Sequence, residues 1–303
     1  MRKRLARIGL VGLGLALALG LAGVVGFRLI NRTNGALVSA GERREYLLHV
    51  PASYDPARPT PLVISLHGFA EWPAHQAQIS RWNDLAEEQG FLVVYPAGTR
   101  FPLRWRAGGQ INPADPAPDI AFIADLIDAL SAEYNIDPAR VYANGLSNGG
   151  GMSFVLGCRL SERIAAVGMV AGAYGYAWEE CAPARPAPAV VFHGTADPIV
   201  PFKGGEDDRF AAGLPDIAGW VSTLAARNGC AAEPLALPRS GAVSGAAYTG
   251  CAADVVFYTI AGGGHTWPGG EPLPEWLTGL TTPDIDATRT MWDFFVANPL
   301  ETE

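Results

Sequence analysis

Seven short runs of apolar, β-branched and aromatic residues recur along the chain, separated by turn residues or by stretches with helical spacing. Such runs predict strands, and their almost continuous apolar character is typical of strands buried on both faces of a parallel sheet. The predicted strands are Tyr46 to Val50, Leu62 to Leu66, Phe91 to Tyr95, Val141 to Gly145, Ala165 to Val170, Ala189 to His193 and Val255 to Ile260. The alternation with helices predicts an α/β fold, a doubly wound and mainly parallel sheet with helices on both faces.

Two helices and one long loop stand out between these strands. Apolar residues recur at helical spacing from Ile120 to Tyr134, and Asp119 is placed to cap that helix. A second helix is predicted near Ala287 to Ala297. The Pro- and Gly-rich stretch from Ala97 to Pro118 predicts the longest irregular loop, which we expect to border a functional site.

The first 41 residues differ from the rest of the chain. Basic residues precede an uncharged, apolar run over 8–27, which is about long enough to span a bilayer. This pattern predicts a targeting segment, either a removed signal peptide or an uncleaved signal anchor, with the anchor slightly favoured. The positive cluster before the run places residues 28 onward outside the cytoplasm. We therefore predict a targeting segment with a short linker over 1–41 and one catalytic domain over 42–303, either secreted or anchored to the membrane.

Cysteine content and charge agree with export. An even number of four cysteines permits two disulfides in an oxidising compartment, and Cys158 with Cys181 and Cys230 with Cys251 are favoured because each pair closes a local segment. The net charge is −8, and without the six basic residues before position 42 it is −14. A domain with this much negative charge is not expected to bind nucleic acid, because nucleic acid is also negatively charged. Neutral esters remain possible substrates. The pattern makes no prediction of oligomeric state.

The pentapeptide Gly145-Leu146-Ser147-Asn148-Gly149 fits G-x-S-x-G at the point where a predicted strand passes into a helix. A serine in a sharp strand-to-helix turn needs neighbours without a Cβ, so that the backbone can fold tightly and substrate can approach. Ser147 is therefore the predicted nucleophile.

Two later segments supply an acid and a base at the ends of predicted strands. Asp197 lies in the loop after Ala189 to His193, and His265 follows a glycine-rich turn after Val255 to Ile260. The chain order Ser, Asp, His is the order used by the α/β-hydrolase fold. We therefore predict that fold, with Ser147, Asp197 and His265 as a catalytic triad.

The chemistry requires these residue types. His265 would remove the serine proton and later protonate the leaving group, while Asp197 would hold the imidazole in the correct tautomer. Backbone N–H groups of Asn148, after the nucleophile, and of Phe69, after a strand ending in His67-Gly68, are the predicted oxyanion donors. No cofactor and no metal site are predicted. Tryptophans near these segments, Trp267, Trp105 and Trp178, are predicted to contact substrate.

Four segments together resemble the esterase family of polyhydroxybutyrate depolymerases and feruloyl esterases. They are Leu66-His67-Gly68-Phe69, Gly145-Leu146-Ser147-Asn148-Gly149-Gly150, the run from His193 to Phe202, and Gly263-Gly264-His265-Thr266-Trp267-Pro268-Gly269. The resemblance implies a secreted, cofactor-free esterase that works through an acyl-enzyme, acting on small or oligomeric esters such as 3-hydroxybutyrate oligomers or feruloyl esters. Many relatives have cysteine where this chain has Phe69.

Other functions remain open. Within the family, the motifs do not separate polyester, feruloyl and acetyl-xylan substrates, and an acyltransferase would use the same three residues. A surface-displayed binding protein on a hydrolase scaffold is the non-enzymatic alternative.

Overall fold

A single mixed sheet forms the centre of the computed structural model, which describes residues 31–108, 115–206 and 213–301. Its ten strands in the described part of the chain are β1 (Gly35–Ser39), β2 (Glu42–His49), β3 (Thr60–Leu66), β4 (Leu92–Pro96), β5 (Ile136–Leu146), β6 (Ala166–Val170), β7 (Ala189–Gly194), β8 (Leu235–Ser240), β9 (Val243–Tyr248) and β10 (Val255–Ile260). They lie in the order β1-β2-β4-β3-β5-β6-β7-β10-β9-β8. The strands from β4 to β10 in this order are parallel, and the pairs at both edges are antiparallel.

Helices cover both faces of the sheet. They are α1 (Pro73–Ser80), α2 (Trp82–Gln89), α3 (Ala117–Glu133), α4 (Asn148–Arg159), α5 (Ile217–Arg227), α6 (Glu275–Thr278) and α7 (Ala287–Val296). Side chains alternate between two apolar clusters along the central strands: Leu62 and Ile64 of β3 belong to one cluster, and Val63 belongs to the other. Burial on both faces explains why these strands are almost continuously apolar. The predicted doubly wound, mainly parallel architecture is confirmed.

Three local predictions need correction. Strand β1 pairs with β2, so the sheet begins before residue 42; this short edge strand was missed because one face is exposed and its apolar pattern is brief. Strand β5 begins at Ile136, before the predicted start at Val141, although Asp137 keeps a local bond to the Ala139 N–H. Asp119 is not the cap of α3, whose N-cap is Pro116.

The Asp119 carboxylate is instead buried between two arginines. Its Oδ1 accepts hydrogen bonds from Arg44 and Arg106, each at 2.9 Å, and its Oδ2 accepts from the Arg106 backbone N–H at 2.8 Å. A buried carboxylate is stable only when it is paired and hydrogen-bonded, and these bonds provide both. Asp119 therefore ties the loop that precedes α3 to strand β2 and does not serve as a simple helix cap.

The four cysteines form two disulfides, Cys158–Cys181 and Cys230–Cys251. These are the two pairs that the sequence favoured. The first disulfide joins the end of α4 to the segment after β6. The second joins the segment after α5 to the segment after β9. Each bridge closes a local loop of the chain and so restricts its unfolded state.

The predicted apolar targeting segment over 8–27 lies outside the described residues. Among the residues that are described, no helix has the length and apolarity needed to cross a membrane. The division of the chain into a targeting segment and one catalytic domain stays a prediction.

Candidate active site

Ser147 lies between β5 and α4 in a backbone conformation that L-residues rarely adopt. Its φ is 57° and its ψ is −118°. Strained geometry of this kind persists only where surrounding contacts enforce it. Here the Ser147 N–H donates to Val170 O at 2.9 Å, and Ser147 O accepts from the Gly151 and Ala173 N–H groups at 2.9 and 3.0 Å. The turn therefore holds the serine rigidly at the carboxyl end of the central strand.

The two outer glycines of the motif are required by close backbone packing. A Cβ on Gly145 would lie 2.5 Å from the carbonyl carbon of Gly149, and a Cβ on Gly149 would lie 2.2 Å from Leu66 O. Neither distance leaves room for a side chain. This packing brings the start of α4 against the end of β3, where the His67-Gly68 turn begins.

Asp197 and His265 are in direct contact at the ends of the adjacent parallel strands β7 and β10. Asp197 Oδ2 lies 2.7 Å from His265 Nδ1, and Asp197 Oδ1 accepts from the Ile199 and Val200 N–H groups, both at 2.8 Å. Because an ionised carboxylate only accepts hydrogen bonds, Nδ1 of His265 carries the proton and Nε2 of the neutral ring is left as an acceptor. His265 is thus in the tautomer that a general base requires.

A second histidine lies close to the same carboxylate oxygen. His193 Nε2 is 2.9 Å from Val200 O and 3.4 Å from Asp197 Oδ2. Burial lowers the pKa of His193, and the nearby Asp197 carboxylate only partly opposes this effect. His193 is therefore neutral, and it fixes the loop that carries Asp197.

Ser147 and His265 line one cavity of about 440 Å³. No hydrogen bond joins the Ser147 hydroxyl to His265 among the described residues. Catalytic hydrogen bonds of this kind tighten when substrate binds. The apolar residues of the cavity lining include Ala173, Ile199, Val200, Leu273, Pro274 and Leu277. The lining also includes the polar side chains of Glu71, His75 and Arg104. An ester with an apolar part and a polar part fits such a lining.

The turn after β3 leaves one backbone donor uncommitted. Gly68 N–H donates to Glu71 Oε2 at 2.9 Å, and Ala70 N–H donates to Leu103 O at 2.9 Å. Between them, the Phe69 N–H has no acceptor in the described part of the chain. Asn148 is the first residue of α4, where a helix leaves its N–H groups without intrahelical partners. Both residues line the cavity with Ser147, so the two predicted oxyanion donors lie at the same site.

His67 stabilises this turn through hydrogen bonds of its ring and does not line the cavity. Its Nε2 accepts from the Gly98 N–H at 2.9 Å, which leaves Nδ1 as the donor to Gly68 O at 2.7 Å. Burial lowers the pKa of His67 to about 4, and the bond to Gly68 O opposes that shift only in part. A neutral, doubly bonded imidazole of this kind is a structural element of the turn.

All three tryptophans predicted to contact substrate lie outside the cavity lining. Trp267 is 1% exposed, and its indole N–H donates to Thr288 Oγ1 at 2.9 Å within the apolar layer under α7. Trp105 is fully buried, and its indole N–H donates to His67 O at 3.0 Å. Trp178 lines a separate cavity beside the Cys158–Cys181 disulfide. The rings of Trp105 and Trp267 are used for packing, and substrate contact by the three tryptophans stays a prediction.

Sequence reasoning missed the polar side chains of the cavity. Glu71 and His75 lie in the segment leading into and along α1, and Arg104 lies in the long loop. No local motif marked them; their only signal was proximity to the strand end at His67 and to the loop predicted to border the site. In the described ranges, no group of three or more His, Cys, Asp or Glu residues could hold a metal ion.

Comparison with known proteins identifies the family of this chain. The family model described as esterase PHB depolymerase matches residues 45–231. "Putative esterase NocK" of Nocardia uniformis subsp. tsuyamanensis is 32% identical over 285 residues, covering 86% of this chain and 81% of that protein. "Feruloyl esterase C" of Emericella nidulans is 26% identical over 275 residues, covering 88% of this chain and 86% of that protein.

A solved structure shares the fold. The acetyl xylan esterase from Aspergillus awamori superposes with a TM-score of 0.56 at 16% sequence identity, covering 74% of this chain and 89% of that structure. This likeness confirms the predicted α/β-hydrolase fold. With a matching family model over more than half of its length and esterases among its relatives, this chain belongs to the PHB depolymerase esterase family and is a carboxylic ester hydrolase.

Proposed function

We propose that this esterase works through Ser147, His265 and Asp197 and forms an acyl-enzyme on Ser147. The observation that carries the proposal is the 2.7 Å contact between Asp197 Oδ2 and His265 Nδ1, at a cavity that Ser147 also lines from a strained turn. A neutral imidazole fixed by a buried carboxylate is the arrangement that activates a serine hydroxyl.

In the proposed reaction, Ser147 Oγ attacks the ester carbonyl carbon while His265 Nε2 accepts the hydroxyl proton. The negative charge moves to the carbonyl oxygen, where the Phe69 and Asn148 N–H groups stabilise it. Collapse of the intermediate breaks the bond to the alcohol oxygen, which takes the proton from His265. Water then attacks the acyl-enzyme with the same proton transfers and releases the acid, returning Ser147 to its starting state.

The proposed substrates are small or oligomeric soluble esters, including 3-hydroxybutyrate oligomers and feruloyl or acetyl esters. Support comes from the cavity volume of about 440 Å³, which suits a small molecule, and from the presence of both apolar and polar residues in its lining. A relative named as a feruloyl esterase also supports an aromatic acyl group.

The proposed location is outside the cytoplasm. Two disulfides support it, because such bonds form and persist in oxidising compartments. Export, by a cleaved signal or an uncleaved anchor, belongs to the same proposal.

A substrate panel with a serine variant tests the triad. Purified protein is given 4-nitrophenyl acetate, methyl ferulate, acetylated xylan and 3-hydroxybutyrate oligomers, and Ser147→Ala serves as the matched blank. We expect Ser147→Ala to lose turnover by at least about 10³-fold while keeping the wild-type circular dichroism spectrum and melting temperature. A folded Ser147→Ala protein with substantial activity would remove Ser147 from its role.

The panel also separates the alternatives. Preference for one natural ester over the generic acetate fixes the substrate class. Transfer products that outweigh acid in the presence of an acceptor alcohol would indicate an acyltransferase. A folded wild-type protein that neither hydrolyses the panel nor reacts with a fluorophosphonate would indicate a binding role.

A further inference from the structure

Arg104 is an uncompensated cation in the active-site lining. It borders the cavity that Ser147 and His265 share. Among the described residues, its guanidinium forms no hydrogen bond and no ion pair, and its Nε is buried without a partner. The guanidinium carbon lies 6.0 Å from the centre of the Phe69 ring, a weak cation–π contact. A charge that is partly removed from water without an anionic partner is costly, unless a ligand supplies that partner.

The backbone around Arg104 is held from several directions. Thr99 and Arg104 exchange two backbone hydrogen bonds of 2.9 and 3.2 Å, and Leu103 O accepts from the Ala70 N–H at 2.9 Å. The next residue, Trp105, is bonded through both its N–H and its carbonyl to the Asn148 amide, at 2.7 and 3.1 Å. The arginine is therefore attached to a preorganised loop, so that binding costs little backbone entropy there.

The acidic group in the same lining is already engaged. Glu71 Oε2 accepts from the Gly68 N–H at 2.9 Å, and Glu71 Oε1 lies 3.5 Å from His75 Nδ1. Burial raises the pKa of Glu71, but the contact with His75 and the bond from Gly68 outweigh it and hold the pKa below its ordinary value. Glu71 is thus an ionised group bound to the oxyanion turn. No ion pair joins it to Arg104 within the residues described.

From these contacts we infer that Arg104 binds a carboxylate on the substrate, so that the preferred esters are monoanions: hydroxy-acid oligomers with a free acid end, or half-esters of dicarboxylic acids. A guanidinium matches a carboxylate with two parallel hydrogen bonds and gains more than a lysine could at this position. The inference rests on the proposed function, because it assigns the substrate class of that same site.

Two pairs of ester substrates test the effect of a negative charge on the substrate, because the members of each pair differ only in a carboxylate or a neutral amide. The first pair is the 4-nitrophenyl half-ester of glutaric acid and the corresponding primary amide, which differ on the acyl side. The second pair is 3-acetoxybutanoate and 3-acetoxybutanamide, which differ on the alcohol side. The measured quantity is the ratio of kcat/KM for the anionic probe to kcat/KM for its neutral amide.

In wild-type protein, we expect this ratio to favour the anion in one pair, which identifies the side of the ester that Arg104 faces. Arg104→Met should lower that ratio roughly 10- to 100-fold, as expected for the loss of a charge-assisted hydrogen-bonded pair, and Arg104→Lys should restore part of it. Because the ratio is taken within one preparation, partial misfolding of a variant cancels from it.

A matched control is Arg43→Met, which removes one positive charge from a side chain that is 72% exposed and outside the cavity. Its ratios should equal those of wild type. Ratios in Arg104→Met that equal wild type in both pairs, or a fall of the same size in Arg43→Met, would overturn the inference.

Failure of this inference is distinguishable from failure of the triad proposal. If wild-type protein hydrolyses the neutral amides and Ser147→Ala does not, the triad stands whatever the ratios are. If Ser147→Ala matches wild type on the neutral probes, the proposed function itself fails.

Discussion

Asn148 and Trp105 are joined by both ends of one side-chain amide. Asn148 Oδ1 accepts from the Trp105 N–H at 2.7 Å, and Asn148 Nδ2 donates to Trp105 O at 3.1 Å. The residue after the nucleophile thereby fixes the loop that forms one side of the cavity. The sequence predicted a role for the Asn148 backbone only, and its side chain supplies a second one.

Asn148→Ala should therefore impair catalysis although it keeps the backbone N–H. Loss of the two bonds frees the loop, and we expect kcat/KM to fall roughly 10- to 100-fold, the range caused by small misplacements of catalytic groups. Steady-state kinetics and hydrogen exchange over residues 99–108 measure the two effects. Asn228→Ala is the matched control, because the Asn228 amide bonds Ala187 O and Ala253 O in another region. Equal loss of activity in both variants would assign the effect to general destabilisation.

Asp197→Asn should lose most of its catalytic activity, and the hydrogen bonds of Asp197 explain why. The side-chain oxygen of an asparagine would accept from the Ile199 and Val200 N–H groups, which leaves its NH₂ group facing His265 Nδ1. Nδ1 would then have to accept, and Nε2 would carry the proton and could not act as a base. A fall in kcat on the order of 10⁴ is expected. Wild-type-like kcat in a folded variant would exclude Asp197 as the orienting acid.

The pH dependence of the wild-type rate provides a separate test of His265. A protonated imidazole cannot accept the Ser147 proton, so kcat/KM should be low in acid and rise with pH as His265 becomes neutral. Initial rates with a substrate whose chemical step limits turnover measure this profile. A profile that stays flat from about pH 4 to about pH 8 would count against a histidine as the base.

His67 should make the protein less stable in acid. Burial lowers its pKa from 6.5 to about 4, so between these values the unfolded chain binds a proton that the folded chain does not. The free energy of unfolding therefore falls as pH decreases from 6.5 towards 4, and the shift corresponds to about 3 kcal/mol. Denaturant unfolding at several pH values should show a shallower slope for His67→Gln than for wild type. A slope for His67→Gln equal to that of wild type would contradict this assignment.

Trp267→Phe should reduce stability and leave substrate affinity close to wild type. The substitution removes the bond to Thr288 Oγ1 and some buried contact area, at a cost of about 2 kcal/mol. Leu277→Ala is the comparison, because Leu277 lines the cavity and is 51% exposed; it should raise KM with little loss of stability. A large rise in KM for Trp267→Phe at unchanged stability would restore the predicted substrate contact.

The sequence was sufficient for features that depend on local backbone geometry or on the order of elements. The glycines around Ser147 mark a turn that cannot contain other residues, as the 2.2 Å approach to Leu66 O shows. Asp197 and His265 could be paired in advance, because both follow predicted strands in the chain order Ser, Asp, His. The fold, the elbow and the acid–base contact therefore followed from the linear pattern.

Tertiary structure alone decided what surrounds those groups. An apolar run does not distinguish a tryptophan that packs in the core from one that faces a substrate, and Trp105 and Trp267 proved to be buried. Nor does any local motif connect Asn148 to Trp105, or Glu71 to the Gly68 N–H, because such bonds depend on how distant segments pack. Arg104 became informative for the same reason: its charge is visible in the sequence, but only the folded chain decides whether another residue neutralises it. The sequence shows where the backbone must adopt a particular local conformation. Which side chains form hydrogen bonds or ion pairs with each other depends on how distant segments pack in three dimensions.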